Sequence, residues 1–302
     1  MNRRVLQFFS MLSLMFVVGL SVCAEEAKML MWKVTSDDGG VVYLLGSIHA
    51  MKKETYPLPP EMEKAFTDSK FLVLEADESK TDPLKMQQMV MTKGMYTGED
   101  VLSKHISQAT QDKMKEVLPK QGIQPAMLEK TKPWMASVMI SMTGLMKMGF
   151  DPQMGIDKHF LNEANEGKKT VLELESAEFQ LSLLASFSDD LQEKFLLSTL
   201  MESDGMEENM KKMVEAWTAG DAEGMDKEIN KQLAKAPELK PVFEKLFYER
   251  NNGMTAKVEE YLKTKEPHFV IAGAGHMVGE KGIVAQLKGK KFKVEQVTKA
   301  AK

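Results

Sequence analysis

Two of the chain's five histidines stand in the same local setting. "VVYLLGSIHA" carries Gly46-x-x-His49, and "HFVIAGAGHM", more than two hundred residues later, carries Gly273-x-x-His276. Both are an apolar run, a glycine, two residues and an imidazole. Carboxylates follow two other apolar runs: Glu75 closes "FLVLE", and Glu173 and Glu175 close "TVLELE". Imidazole nitrogen and carboxylate oxygen together are the donors expected of a site for Zn²⁺, Mn²⁺ or Fe²⁺. A further polar cluster, Arg250-Asn251-Asn252, interrupts an amphipathic helical pattern. Two asparagines and a glycine weaken a helix interior, so a bend or a polar insertion is expected there. Arg250 could bind a carboxylate or steady a developing negative charge. Each residue also has an ordinary reading. A histidine after a strand is commonly a hydrogen-bonded structural residue, Glu75 could be a solvated turn residue, the face shared by Glu173 and Glu175 could be exposed, and the Arg-Asn cluster could be a surface kink.

The elements that must position these groups read as strands and helices in alternation. Five short apolar runs predict strands: Val41–Leu45, Phe71–Glu75, Thr170–Leu174, Phe269–Ala272 and Phe292–Val297. Most are apolar throughout, as strands covered on both faces are. Helices are predicted over Asp82–Lys93, Ser107–Leu118, Pro125–Lys130 and Pro133–Met148. A second helical block fills Ala177–Lys263, and a last helix, Lys281–Leu287, has Gly289 as its stop. This is an α/β protein with a central, mostly parallel or mixed sheet flanked by helices and carrying large helical insertions. In such a sheet the carboxyl ends of the strands share one edge, and ligands bind there. His49, Glu75, Glu175 and His276 all fall at or just after strand ends. His268 precedes its strand and belongs at the opposite edge.

The N-terminus has another purpose. Arg3 and Arg4, the apolar stretch Val5–Val22 and the boundary Val22-Cys23-Ala24 before Glu25-Glu26 form a secretory signal peptide, residues 1–24, with cleavage after Ala24. The other readings are a retained anchor and a lipoprotein through Cys23, the weaker because Val22 is bulky for a lipidation site. Cys23 is the only cysteine. Its removal leaves a mature chain, residues 25–302, without disulfides, cysteine ligands or a cysteine nucleophile. About 278 residues must then be held by an ordinary core. Loss of Arg3 and Arg4 takes the formal charge from −4 to −6, which disfavours nucleic acid and anionic membrane surfaces as partners. The expected location is the periplasm or the exterior, with no stable membrane anchor after cleavage.

Rival motifs fail. His-Glu-x-x-His, G-x-x-x-x-G-K-[ST] and G-x-S-x-G are all missing from the sequence. "VIAGAGHMVGEKG" has Val278 where a dinucleotide turn needs its third glycine, and only 23 residues follow Gly279. "PWMASVMISMTGLMKMGFDP" is nearly a membrane width of apolar residues, but Lys147 interrupts it and Pro133 and Pro152 bracket it, so it reads as a buried helix. Met135, Met139, Met142 and Met146 share one face. Thioethers can bind Cu(I), but with 26 methionines along the chain core filling is the simpler reading.

"LLGSIHA" and "IAGAGHMVGEKGI", with "FLVLEAD", "VLELESAEFQL", "YERNNGMTAKV", "YPLPPEMEKAF" and "KPW", together resemble the TraB/GumN family, whose animal relatives are the TIKI metalloproteases. The resemblance runs from about Met31 to Val297. It implies an α/β core like that of erythromycin-esterase and ChaN-like proteins. It also implies functional positions at Gly46 and His49, Glu75, Arg250 and Asn251, Gly273 and His276, and Glu175 with Gln180 following.

Residues and resemblance together predict an exported metal-dependent hydrolase acting on peptide or protein. His49, Glu75 and His276 would hold Mn²⁺, Co²⁺ or Zn²⁺, Glu75 or Glu175 would be the general base, and Arg250 and Asn251 would orient substrate or stabilise an oxyanion. Two alternatives stand beside it. One is a binding protein for peptide, haem or metal without turnover, and the other an interaction protein of envelope or polysaccharide biology.

Overall fold

A computed structural model describes residues 27–300. The expected signal peptide and Cys23 lie outside the described residues. Six strands form one mixed sheet: β1 (Lys28–Thr35), β2 (Val41–Ser47), β3 (Phe71–Leu74), β4 (Thr170–Glu173), β5 (His268–Gly273) and β6 (Lys293–Thr298), in the order β4-β3-β5-β2-β1-β6. β4, β3, β5 and β2 are mutually parallel, whereas β1 is antiparallel to both β2 and β6. The five expected strands are present within a residue or two. β1, "KMLMWKVT", is an addition. Met29 to Trp32 are all buried, so it has neither the alternation of a half-exposed strand nor the β-branched composition of a covered one.

β5 is central and buried along its whole length. Leu44, Leu45, Leu72 and Val73 on the strands beside it are fully enclosed, as are its own Val270 and Ile271. On one face Phe66, Phe160 and Phe269 form an aromatic cluster with ring centroids 4.9–5.8 Å apart. Burying each such side chain contributes roughly 1.5–3 kcal/mol, which fixes the strands that carry the site. A second apolar cluster, including Leu118, Ile140, Leu196 and Leu200, lies among the inserted helices.

Helices occupy Pro83–Gly94, Gln108–Lys120 and Pro133–Lys147, close to expectation. Ser188 caps the helix Asp189–Glu202, accepting a hydrogen bond from the Leu191 N–H, and Gly220 ends another with φ 66°. Three expectations are corrected. Pro125–Lys130 makes only a single 3₁₀ turn, Pro125–Met127. The last helix, Ile283–Gly289, ends with Lys290 as its cap, and Lys291 (φ 68°) supplies the left-handed turn expected of Gly289. In Pro133–Lys147 the core-facing stripe is Trp134, Ser137, Ile140 and Gly144, while Met142 and Met146 are exposed. Both stripes step by three and four residues along the helix, and the small Ser137 and Gly144 let it pack closely where methionines would not. No helix of the described residues is long and apolar enough to cross a membrane.

Candidate functional site

The four parallel strands end at one edge. Across it, in sheet order, stand Glu175 after β4, Glu75 after β3, His276 after β5 and His49 after β2. Parallel pairing continues past the strands: Leu174 N–H donates to Leu74 O and Glu175 N–H to Glu75 O. The two carboxylates are therefore set side by side by the backbone itself.

Gly273 lies at the focus. Its N–H donates to Glu75 Oε2 at 2.8 Å. A Cβ there would come within 3.1 Å of His49 Nε2, 3.4 Å of Glu75 Oε2 and 3.6 Å of His276 Cδ2. A side chain there would press on all three groups, on His49 Nε2 most closely. Gly46 carries its own anchor, since Trp217 Nε1 donates to Gly46 O at 2.7 Å inside the core.

Each imidazole has one nitrogen fixed and the other aimed at Glu75. His276 Nδ1 lies 2.6 Å from Asn251 Oδ1, and Asn251 is itself held through Nδ2 on Lys281 O. An amide oxygen only accepts, so Nδ1 carries the hydrogen and Nε2 presents its lone pair. That Nε2 is 3.6 Å from Glu75 Oε1. His49 Nδ1 lies 3.1 Å from Asp157 Oδ1, and its Nε2 is 3.7 Å from Glu75 Oε2. Asp157 reaches this place because Gly155 packs against the carbonyl of His49, where a Cβ would stand 2.4 Å from that oxygen. Ile156 N–H donates to Ile48 O.

Arg250 neutralises the carboxylates. Its NH2 group lies 2.5 Å from Glu75 Oε1 and 2.7 Å from Glu175 Oε2, its Nε donates to Glu175 Oε2 at 2.9 Å, and NH1 donates to Leu246 O. Four of its five N–H groups are thus used. Gln180 Nε2 donates to Glu75 Oε1 at 3.0 Å and reaches Glu175 Oε2 at 3.5 Å. The expected helix irregularity is real but earlier than expected. Glu244–Glu249 wind as a π-helical turn, and Arg250–Leu262 follows as regular α-helix. The turn sets Phe247 against His276, ring centroids 5.2 Å apart.

The two histidines differ in charge. Burial presses His276 towards its neutral form; Glu75 opposes this, Arg250 and His49 add to it, and the pKa falls to about 4. His49 loses hydration in the cleft, but the hydrogen bond and charge of Asp157, with the charge of Glu75, outweigh that and Arg250, and raise it to about 9. Glu75 is held down at about 2: burial works against its ionisation, while the charges of His276, His49 and Arg250 and the Gly273 N–H favour it.

The donor set fits a divalent cation in its chemistry. Two imidazoles, each oriented through Nδ1, face a carboxylate that stays ionised. The trio is nevertheless open. Each imidazole addresses a different oxygen of Glu75. Among the described residues, the His, Cys, Asp and Glu group whose ligand atoms all lie within 4.8 Å of one another is Glu63, His159 and Glu163. Asn251 is fully buried behind His276 rather than in the cleft, so it orients an imidazole instead of a substrate. Glu173 turns aside to accept from the Asp77 N–H. Asp157 escaped the sequence reading; its signal was an aspartate in the first turn of a helix after Gly155, indistinguishable by spacing from ordinary helix-start chemistry.

Over 147 residues the chain is 27% identical to YbaP of Escherichia coli (strain K12), described as an uncharacterized protein, in an alignment covering 49% of this chain and 53% of that one. The same figures hold for YbaP of Shigella flexneri. The chain thus spans about half the length of the curated relatives it matches. No solved structure matches it. The family model described as TraB/PrgY/gumN matches residues 30–296, nearly the whole described chain with its four site-bearing strand ends, and the protein belongs to that family.

Proposed function

We propose that this is an exported hydrolase of peptide bonds working at the strand-end cleft. The observation that carries the reading is the convergence of two pre-oriented imidazoles on the ionised carboxylate of Glu75, with Glu175 and Arg250 alongside. His49, Glu75 and His276 are the residues that would hold a divalent cation, with Mn²⁺, Co²⁺ and Zn²⁺ as candidates. Such a cation, when bound, supplies a water acidified towards neutral pH and polarises a carbonyl.

The remaining groups divide the work. Both oxygens of Glu75 face imidazoles and accept hydrogen bonds. Glu175 uses only Oε2, towards Arg250 and Gln180, and among the described residues no protein group donates to Oε1. Glu175 is therefore the better general base, taking a proton from the attacking water on Oε1. Arg250 keeps the two carboxylates together and has one N–H, on NH1, left for a substrate oxygen. Asp157 and Asn251 keep each Nε2 turned towards Glu75. The signal-peptide pattern of residues 1–24 supports export.

The test is metal content and cleavage of a quenched-fluorescent peptide library by the purified protein, with Glu175→Gln and Glu75→Gln beside it. Glu175→Gln is expected to keep metal and lose at least a hundredfold in turnover, whereas Glu75→Gln loses both. A wild type that holds stoichiometric metal yet cleaves no member of the library sinks the enzyme reading and leaves a binding protein. N-terminal sequencing of the exported chain tests the start at Glu25.

A further inference from the structure

Away from the cleft, three side chains from two helices meet around one nitrogen. Glu63 comes from the helix Pro60–Asp68; His159 and Glu163 lie one turn apart on Ile156–Glu166. His159 Nε2 is 2.9 Å from Glu63 Oε1 and 3.5 Å from Glu163 Oε1. The imidazole is not free to turn. Tyr56 packs on it at 5.1 Å and Phe160 at 4.9 Å between ring centroids. Tyr56 is in turn tied by its hydroxyl to Met154 O at 2.8 Å. All three ligand candidates are partly buried, so they are partly desolvated and still open to exchange with solvent.

We propose that Glu63, His159 and Glu163 form a second divalent-cation site, structural in role, that clips the helix Pro60–Asp68 to the helix Ile156–Glu166. Three features separate it from an ordinary surface ion pair. The spacing of His159 and Glu163, four residues apart, puts two ligands on one helix face. The third comes from another helix, so a bound ion cross-links two elements far apart in sequence. Two carboxylates on one half-buried imidazole repel each other, and an ion of charge two relieves that where a single proton does so only in part.

The chemistry selects the ion. One imidazole with two carboxylates suits Zn²⁺, Co²⁺, Ni²⁺ or Mn²⁺ better than Ca²⁺ or Mg²⁺, which prefer oxygen alone. Nε2 supplies the lone pair, the hydrogen then sits on Nδ1, and the proton shared with Glu63 leaves for solvent as the ion enters. The site has a functional neighbour. Asp157, two residues before His159 on the same helix, is the carboxylate that holds His49. An ion here steadies the helix that orients a cleft histidine, without itself touching the cleft.

Metal-stripped protein titrated with Co²⁺ and with Zn²⁺ tests this, bound metal being counted after desalting in the wild type, His276→Ala, His159→Ala and Glu163→Gln. His276→Ala is expected to retain one equivalent that His159→Ala loses, and Glu163→Gln to weaken that equivalent at least tenfold. The heat-unfolding midpoint should rise with metal in the wild type and stay still in His159→Ala. If His159→Ala is unfolded by circular dichroism, Glu163→Gln alone decides. Metal content and affinity unchanged in the trio variants overturn the proposal, as does an unfolding midpoint that no metal moves. The readout is binding, so a cleft that holds no metal and cuts no peptide leaves this result standing.

Discussion

The two Gly-x-x-His turns share a spacing and end neighbouring strands, yet their histidines live in opposite conditions. His49 is 59% exposed and held cationic; His276 is 4% exposed and held neutral. Both face the same carboxylate at nearly the same distance. The difference lies behind the rings, in a carboxylate (Asp157) against an amide (Asn251), and in how much protein lies over each. A motif places a side chain at an edge, but the partner of its far nitrogen decides its charge.

The largest expected effect comes from removing what the two halves share. Arg250→Ala leaves Glu75 and Glu175 adjacent, largely buried and without their cation, and should destabilise the protein by about 3–5 kcal/mol in urea unfolding. His276 should also titrate higher, since Arg250 helps to keep it neutral. The asymmetry itself is next. His276→Ala opens a buried cavity and strands Asn251 Oδ1, a loss of roughly 2–4 kcal/mol. His49→Ala at the exposed side should cost under about 1 kcal/mol. Equal losses would mean that the two turns do not differ in burial as the structure has them.

Exchanging the partners sharpens it. In metal-stripped protein, Asp157→Asn should bring the His49 pKa down from about 9, and Asn251→Asp should raise that of His276 from about 4, each by roughly one unit or more in imidazole NMR titrations. The linkage signs are opposite. His49 binds its proton more tightly when folded, so its contribution is present below its unfolded pKa near 6.5 and lost as pH rises through about 9. His276 binds its proton less tightly when folded, so its contribution is present above 6.5 and lost as pH falls through about 4. The smallest effect on the fold is Gly273→Ala. Its backbone (φ −50°, ψ 140°) suits alanine, and no contact of the added Cβ is under 3.0 Å. Stability should change by less than about 1 kcal/mol, while the resonances of His49 shift because that Cβ lies 3.1 Å from Nε2.

Most of the edge was legible because it depends on strand ends. Continuous apolar runs placed Val41–Leu45, Phe71–Glu75, Thr170–Leu174 and Phe269–Ala272, and parallel order then brought His49, Glu75, Glu175 and His276 together. What escaped depended on packing. β1 hid because "MLMW" has no period to read. The methionine stripe of Pro133–Lys147 and its buried stripe both step by three and four residues, so only the neighbouring helix Asp189–Glu202 settles which faces inward. Asp157 and Asn251 act through a partner distant in sequence, and no local pattern marks such a pairing. The trio of Glu63, His159 and Glu163 was invisible for the same reason: one of its members, Glu63, lies on a helix nearly a hundred residues upstream.

The π-helical turn at Glu244–Glu249 makes the helix before Arg250 an angular device. A helix advances about 100° per residue and a π turn holds one residue more than an α turn, so rewinding this turn as α-helix at unchanged chain length would rotate everything on one side of it by about 100°. Leu246 O, which anchors Arg250 NH1, and Phe247, which packs on His276, lie within the turn, and Arg250 and Asn251 lie just beyond it. Phase along this one helix therefore sets whether guanidinium, amide and aromatic ring arrive at the sheet edge together. A chain of the same length that wound Glu244–Glu249 as α-helix would keep its sheet and both Gly-x-x-His turns, and would bring these three groups to the edge out of step.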